Sequence, residues 1–447
     1  MKNNFYWGVA TAATQNEGGY LEDGKGLSNW DVFSSNPNNI EDHNNCFVAC
    51  DQFHRYKEDI KLAKELGVSC YRFSINWSRI TPDGIHINPK GIEFYRDFVD
   101  ELIKNDIEPM ITLCHWDMPN DLEEKGGWAN RELVLESFKI FTRAIVSALK
   151  GKVKYIMTFN EAPNIAYMGY KVGKFAPGKC LSDKEVLTVS HNILLAHGYA
   201  YRIIKEIDPS IKVSFVNCGW VAMPNDENNK ELVKECEKQF FSVEPTRIGD
   251  GRTLFYDPIM FGDYPKDYYE VYKDFLPDIK DGDLEIIHTG MDYIAANIYM
   301  GYTIDFDKNG NVIRLPHNNN ELHDNEMFCA RALYYSLLFY YNRYKLPILI
   351  SENGYNDPHD IDQIVNGEVH DIKRIEEMDL FMKYISKAMK ENIPVIGYIL
   401  WTFIDNFEWA SGFIPKMGVV AMDHNNNLKR IKKESFMYYQ NLIKKGL

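Results

Sequence analysis

Glu161 follows one short apolar run, Tyr155–Asn160, and Glu352 follows another, Ile348–Ser351. Two carboxyls facing each other across a pocket are the pair that acetal cleavage requires. One protonates the leaving oxygen while the other stabilises or attacks the oxocarbenium-like centre. A lone Glu after a strand is as easily a solvated loop acid or a salt-bridge partner, and the chain holds 64 acidic residues. The pair therefore gains weight only from its company. Other apolar runs end in residues of the same kind: Arg72 and Asn76, His115 with Trp116, Asn160, Asn297 with Tyr299, and Trp401.

The runs that carry these residues are Trp7–Ala13, Ser69–Asn76, Pro109–His115, Tyr155–Asn160, Val213–Asn217, Tyr293–Asn297, Ile348–Ser351 and Val395–Trp401. Rich in β-branched and aromatic residues and without clean alternation, they read as strands buried on both faces. Amphipathic stretches separate them, clearest at Asp51–Leu66, Gly91–Lys104, Arg131–Leu149, Asp183–Ile207, Glu326–Tyr344, Ile372–Lys390 and Lys433–Lys445. A strand–helix alternation repeated about eight times predicts an α/β fold, a single (β/α)₈ barrel domain over residues 1–447. A doubly wound sheet is the competitor, but its Gly-rich phosphate turn is missing. In a barrel the C-terminal strand ends meet at one mouth, where the active site lies. Glu161 and Glu352 then stand on opposite sides of it. Asn225–Asn229 and Asn318–Asn320 read as surface loops, and the stretch from Pro224 to Tyr256 has no clear pattern.

Bulk properties narrow the ligand. A formal net charge of −14 disfavours nucleic acid, which needs a basic stripe, and suits a neutral small molecule. No apolar run approaches the ~20 residues of a membrane span. A strand-like run starts at Phe5, which leaves no room for a secretory leader. Eight cysteines without a C-x-x-C pair suit reduced thiols in a cytoplasmic protein. His43, Cys46, Cys50 and His54 have a zinc-like spacing, but Cys50 and His54 fall at the start of an amphipathic helix. No metal or other cofactor is expected. The sequence leaves room for a homo-oligomer.

Several motifs resemble one family almost from end to end. They include Gln15-Asn16-Glu17-Gly18, Tyr71-Arg72-Phe73-Ser74, His115-Trp116-Asp117-Met118-Pro119, Thr158-Phe159-Asn160-Glu161 and Ile350-Ser351-Glu352-Asn353-Gly354. Trp401-Thr402 and Asp405-Asn406-Phe407-Glu408-Trp409 complete the series. In this order they resemble glycoside hydrolase family 1. The resemblance implies a retaining, exo-acting β-glycosidase of β-glucosidase type, active in carbohydrate metabolism and cellulose degradation. Its substrate would be a β-glycoside or short oligosaccharide. Glu352 would be the nucleophile and Glu161 the acid/base, supported by Arg72, Asn160, Asn297 and Tyr299. Gln15, His115, Trp116, Asn160, Trp401, Glu408 and Trp409 would hold the sugar. Retention implies carboxyls about 5–5.5 Å apart.

Two departures from the family pattern stand out. Ala162-Pro163 replaces the usual Pro-Trp after the acid/base, removing a wall of the leaving-group site. Lys416-Met417 replaces Arg-Phe. Hydrolysis of 6-phospho-β-glucosides is the nearest alternative, and Glu408 opposes it because a carboxylate near the sugar's O6 repels phosphate. A barrel that binds carbohydrate without cleaving it would lack one of the two carboxyls, and both are present. An endo-acting glycanase would need an open cleft.

Overall fold

Eight short strands pair in parallel and close on themselves. They are β1 (Tyr6–Ala10), β2 (Cys70–Ser74), β3 (Glu108–Cys114), β4 (Tyr155–Asn160), β5 (Lys212–Asn217), β6 (Ile294–Asn297), β7 (Ile348–Asn353) and β8 (Val395–Leu400). Each pairs with the next, and β1 closes the ring on β8 with Tyr6 opposite Gly397 and Val9 opposite Leu400. The structure, a computed structural model, describes residues 5–447 except 244, 250, 317–327, 357–363 and 366.

The strands lie between two layers of apolar side chains, which explains their lack of alternation. One residue from each strand fills the barrel interior: Ala10, Cys70, Met110, Met157, Val216, Ala295, Leu349 and Ile399. The other faces pack against the helices in a larger core. Truncating Leu349 to Ala would open a cavity in the inner layer at a cost of about 2–5 kcal/mol.

Local chemistry sets the helix ends. Ser182 and Glu185 form a reciprocal capping box at the start of helix Asp183–Ile207, satisfying amide donors that a helix N-terminus leaves free. Asn130 caps Arg131–Ala148 by accepting from Leu133 N. Helix Gln52–Leu66 stops at Gly67, whose left-handed backbone lets its N–H return to the carbonyls of Ala63 and Lys64.

Three expectations shift. The first strand ends at Ala10, and Ala13–Asn16 forms a helical turn instead of continuing it. The Asn16 side chain accepts from Ala12 N and the Ser74 hydroxyl from Ala13 N, which bends the chain and turns Gln15 inward. The helix expected over Glu326–Tyr344 begins at Arg331; Glu326 and Met327 lie outside the described residues, as do Asn318–Asn320. Pro224–Tyr256 is far from featureless: it contains helix Lys230–Phe241, capped by Asn229, and leads into helix Arg252–Phe261.

Pairing slips where the two glutamates emerge. The β4–β5 register shifts between Met157 and Asn160, and the β7–β6 register between Ile350 and Glu352. Such irregularities break the two-residue alternation and re-aim the side chains that follow.

Candidate active site

A cavity of about 870 Å³ opens at the C-terminal ends of the strands. His115, Trp116, Asn160, Glu161, Tyr299, Glu352, Trp401, Glu408 and Trp409 line it. Arg72, Asn297 and Gln15 are buried directly behind that lining. Asn76, also at a strand end, does other work. It caps the turn Trp77–Ile80 through Arg79 N and accepts from the Ser78 hydroxyl.

Arg72, buried on β2, organises the floor. Its Nη1 donates to Glu352 Oε1 at 2.5 Å and to the Ser351 carbonyl at 3.0 Å. Its Nη2 donates to Asn160 Oδ1 at 2.7 Å, and its Nε to Thr112 Oγ1 at 3.1 Å. The Tyr299 hydroxyl donates to the second oxygen of Glu352 at 3.3 Å. On the opposite wall, Asn297 Nδ2 donates to Glu161 Oε1 at 2.8 Å and to Asn160 Oδ1 at 3.0 Å. Asn164 Nδ2 donates to Glu161 Oε2 at 2.6 Å.

These contacts fix the remaining orientations. Asn160 Oδ1 accepts from both Arg72 and Asn297, so its amide nitrogen faces His115 Nε2 at 3.1 Å. Burial and the Arg72 charge hold the His115 imidazole well below its ordinary pKa. A neutral ring that accepts at Nε2 carries its proton on Nδ1.

The two carboxyls are both buried, yet their environments differ. Burial first, and then the Glu352 charge, push Glu161 up to about 8; the Asn297 and Asn164 amides and the more remote Arg72 oppose the shift. Burial also raises Glu352, but there the Arg72 charge and hydrogen bond lead the opposition. Among the described residues, Arg72 is in direct contact with Glu352 and not with Glu161. When the pair holds a single proton, it belongs on Glu161.

An aromatic wall faces the acids. Trp116 and Trp409 have ring centroids 4.4 Å apart, and His115 stacks at 5.7 Å on Trp401 and 5.8 Å on Trp409. The Trp401 indole N–H donates to Glu408 Oε1 at 3.1 Å. Burial pushes Glu408 up to about 7, with the Glu352 charge adding to the rise. Gln15 donates to Asn406 Oδ1 at 3.3 Å, and its own Oε1 is buried with no donor among the described residues. That acceptor suits a ligand hydroxyl.

Backbone geometry sets this arrangement. Trp116, Glu161 and Trp409 all have positive φ, at 72°, 44° and 54°. Such left-handed backbone is costly for bulky residues and is characteristic of functional sites. A Cβ on Gly354 would overlap the Trp401 carbonyl oxygen, so only glycine lets β7 pass this close to the end of β8.

Parts of the cavity carry no strand-end signature. Trp220, Gln239, Arg247, Arg252, Tyr302 and Arg314 line it from the connections after β5 and β6. Asn164 lines it too, while Ala162 is fully buried and Pro163 starts the irregular helix Asn164–Val172. Met417 reaches the lining and packs with Trp401. Lys416 is buried, its backbone N–H on Asn356 Oδ1.

The zinc-like set disperses. His43 Nδ1 meets the Pro37 carbonyl, Cys46 sits by Ser34, Cys50 by the Asp405 carbonyl, and His54 between Asp51 and Glu22. No group of three metal-binding side chains occurs among the described residues. No helix there is long and apolar enough to cross a membrane.

Proteins similar in sequence and fold span the same length. Beta-glucosidase A of Thermotoga maritima is 35% identical over 98% of this chain and 97% of its own. Beta-glucosidase A of Acetivibrio thermocellus is 36% identical over 99% and 97%. The structure of the Thermotoga maritima β-glucosidase in complex with glucoimidazole superposes with a TM-score of 0.88 at 34% identity, covering 99% of each chain. A family model described as Glycosyl hydrolase family 1 matches residues 1–446. With the barrel, the facing carboxyls and this full-length similarity, the chain is a glycoside hydrolase and belongs to glycosyl hydrolase family 1.

Proposed function

We propose that the chain is a retaining, exo-acting β-glycosidase of β-glucosidase type, working as one catalytic domain. The observation that carries this reading is the unequal sharing of Arg72. The guanidinium binds Glu352 directly, while Glu161 receives the neutral amides of Asn297 and Asn164.

In the first step Glu352 attacks the anomeric carbon as Glu161 passes its proton to the glycosidic oxygen. The anomeric C–O bond breaks with its electron pair on that oxygen, the aglycone leaves as an alcohol, and an ester joins the sugar to Glu352. Loss of the Glu352 charge lowers the pKa of Glu161, which is then ionised and able to take a proton from water. That water attacks the anomeric carbon, releases the sugar with its original configuration and regenerates Glu352. Tyr299 steadies the nucleophile. Its phenol lies well above its ordinary pKa through burial and the Glu352 charge, so it remains a neutral donor.

The sugar sits against Trp401 and Trp409, with Trp116 closing the wall. Gln15, His115 and Glu408 take the hydroxyls on the far side of the ring, and Asn160 takes the 2-hydroxyl, where hydrogen bonds strengthen in the transition state. Glu408 favours an unphosphorylated sugar over a 6-phosphate. The names of the relatives favour glucose, and breakdown of oligosaccharides from cellulose is the corresponding role. Eight free cysteines, seven of them buried, support a reducing, cytoplasmic setting.

Treatment with a 2-fluoro-2-deoxy-β-glucoside, followed by peptide mapping, tests the mechanism. Label on Glu352 is expected, and label on any other residue overturns the assignment. Comparing kcat/KM on β-glucoside, β-galactoside, β-fucoside and 6-phospho-β-glucoside tests the substrate. A preference for the phosphorylated sugar would reverse the reading of Glu408.

A further inference from the structure

We propose that Asn164 is a positioning residue for the acid/base: its side-chain amide donates to Oε2 of Glu161 when that carboxyl is ionised and, unlike the locked Asn297, can withdraw to leave Oε2 as the oxygen that carries the transferred proton. This rests on the assignment of Glu161 above.

The two amides that reach Glu161 are not equivalent. Asn297, which donates to Oε1, is locked from three sides. Its Oδ1 accepts from the Ser351 hydroxyl at 2.8 Å, and its Nδ2 is shared between Glu161 and Asn160. It has no freedom to turn, so Oε1 is permanently occupied by a donor and is the poorer place for a proton. Asn164 is half-buried, lines the cavity, and stands in the first turn of the irregular helix Asn164–Val172. Its amide donates to Glu161 Oε2 at 2.6 Å. A side chain at the cavity surface can yield when an aglycone oxygen approaches Oε2. It can return once Glu161 is ionised in the second step.

Titratable groups around Glu161 among the described residues come from several elements. Arg72 comes from β2, neutral His115 follows β3, Tyr299 follows β6, Glu352 stands on β7 and Glu408 follows β8. Arg247, Arg252 and Arg314 line the same cavity. The Asn164 amide favours the ionised carboxyl, so removing it strengthens Glu161's hold on its proton and weakens it as an acid.

The experiment measures pH profiles of kcat/KM for wild type, N164V, N164D and E161Q on aryl and alkyl β-glucosides. In N164V the alkaline limb is expected to move up by about half a unit to one unit. Alkyl glucosides, which need full protonation of the leaving oxygen, should lose at least about three-fold more than dinitrophenyl glucosides. N164D places a second carboxyl on Oε2, and shared protonation should raise the limb further. It also supplies the readout if N164V does not fold. A limb that moves less than about 0.2 unit in the folded Asn164 variants, while E161Q abolishes it, overturns the role of Asn164 alone. A limb that survives in E161Q overturns the assignment of Glu161 and this inference with it.

Discussion

The Ser351 hydroxyl donates to Asn297 Oδ1 at 2.8 Å and so decides which way the Asn297 amide faces. With Oδ1 engaged, the NH₂ group must point at Glu161 and Asn160. A residue next to Glu352 in sequence thereby sets the donor that Glu161 receives across the cavity. Ser351→Ala frees the amide to flip and present its oxygen to Glu161. We expect kcat/KM on alkyl glucosides to fall by about ten-fold or more, because one charge-assisted hydrogen bond is worth about 1.5–3 kcal/mol. Thermal unfolding should change little. Unchanged kinetics in S351A would show that Asn297 does not depend on this contact.

The proposed mechanism makes Arg72 the determinant of the acid limb. In it Glu352 must be ionised to attack, so activity is expected to fall as pH drops through its pKa. Removing the guanidinium in R72M leaves burial unopposed by the nearest charge and raises that pKa, by about 1–3 units on general grounds. The rate of trapping by the 2-fluoro glucoside reads Glu352 directly. Its acid limb should move up in R72M, and an unmoved limb would contradict the ion-pair reading.

Glu161 links catalysis to stability. Its pKa rises from 4.5 in the unfolded chain to about 8 in the folded one. Between those values the folded state binds more protons, so stability is full below the unfolded value and declines as pH rises towards 8. The limiting slope for one such group is about 1.4 kcal/mol per pH unit. E161Q has no proton to lose. Chemical unfolding at pH 5 and pH 8 should therefore show E161Q gaining on wild type at the higher pH, and an equal difference at both would refute the raised pKa.

The proposed role of Glu408 predicts a pH-dependent selectivity. At about 7, its carboxyl is charged above neutrality and increasingly protonated below it. Rejection of a 6-phosphate should thus be strongest at pH 8 and relax at pH 5.5, and E408Q should flatten that dependence. Equal selectivity ratios at both pH values in wild type would remove Glu408 as the discriminating group.

The barrel was legible in the sequence because its strands are buried on both faces and read as unbroken apolar runs, and because Glu161, Glu352 and Trp401 stand at or beside their ends. Trp7–Ala13 was read too long because Ala12 and Ala13 are apolar but turn under side-chain bonds from Asn16 and Ser74, which no local pattern announces. Asn164 and Trp220 were not legible either. Both reach the cavity from connections whose path is fixed by packing, and neither has a periodic or strand-end signature. Ala162-Pro163 departs from the family pattern, and here Asn164, not Pro163, lines the cavity.

Closure of β1 on β8 has a consequence for how the protein is made. Gln15 stands just after the first strand, while Glu408 and Trp409 come just after the last. Tyr6 must wait for Gly397 before it finds its partner. On a ribosome, β1 can pair with β2 early, but its other edge is open until β8 exists, and pairings so distant in sequence are slow to form. A nascent chain stopped before β8 therefore has both glutamates but half a sugar site.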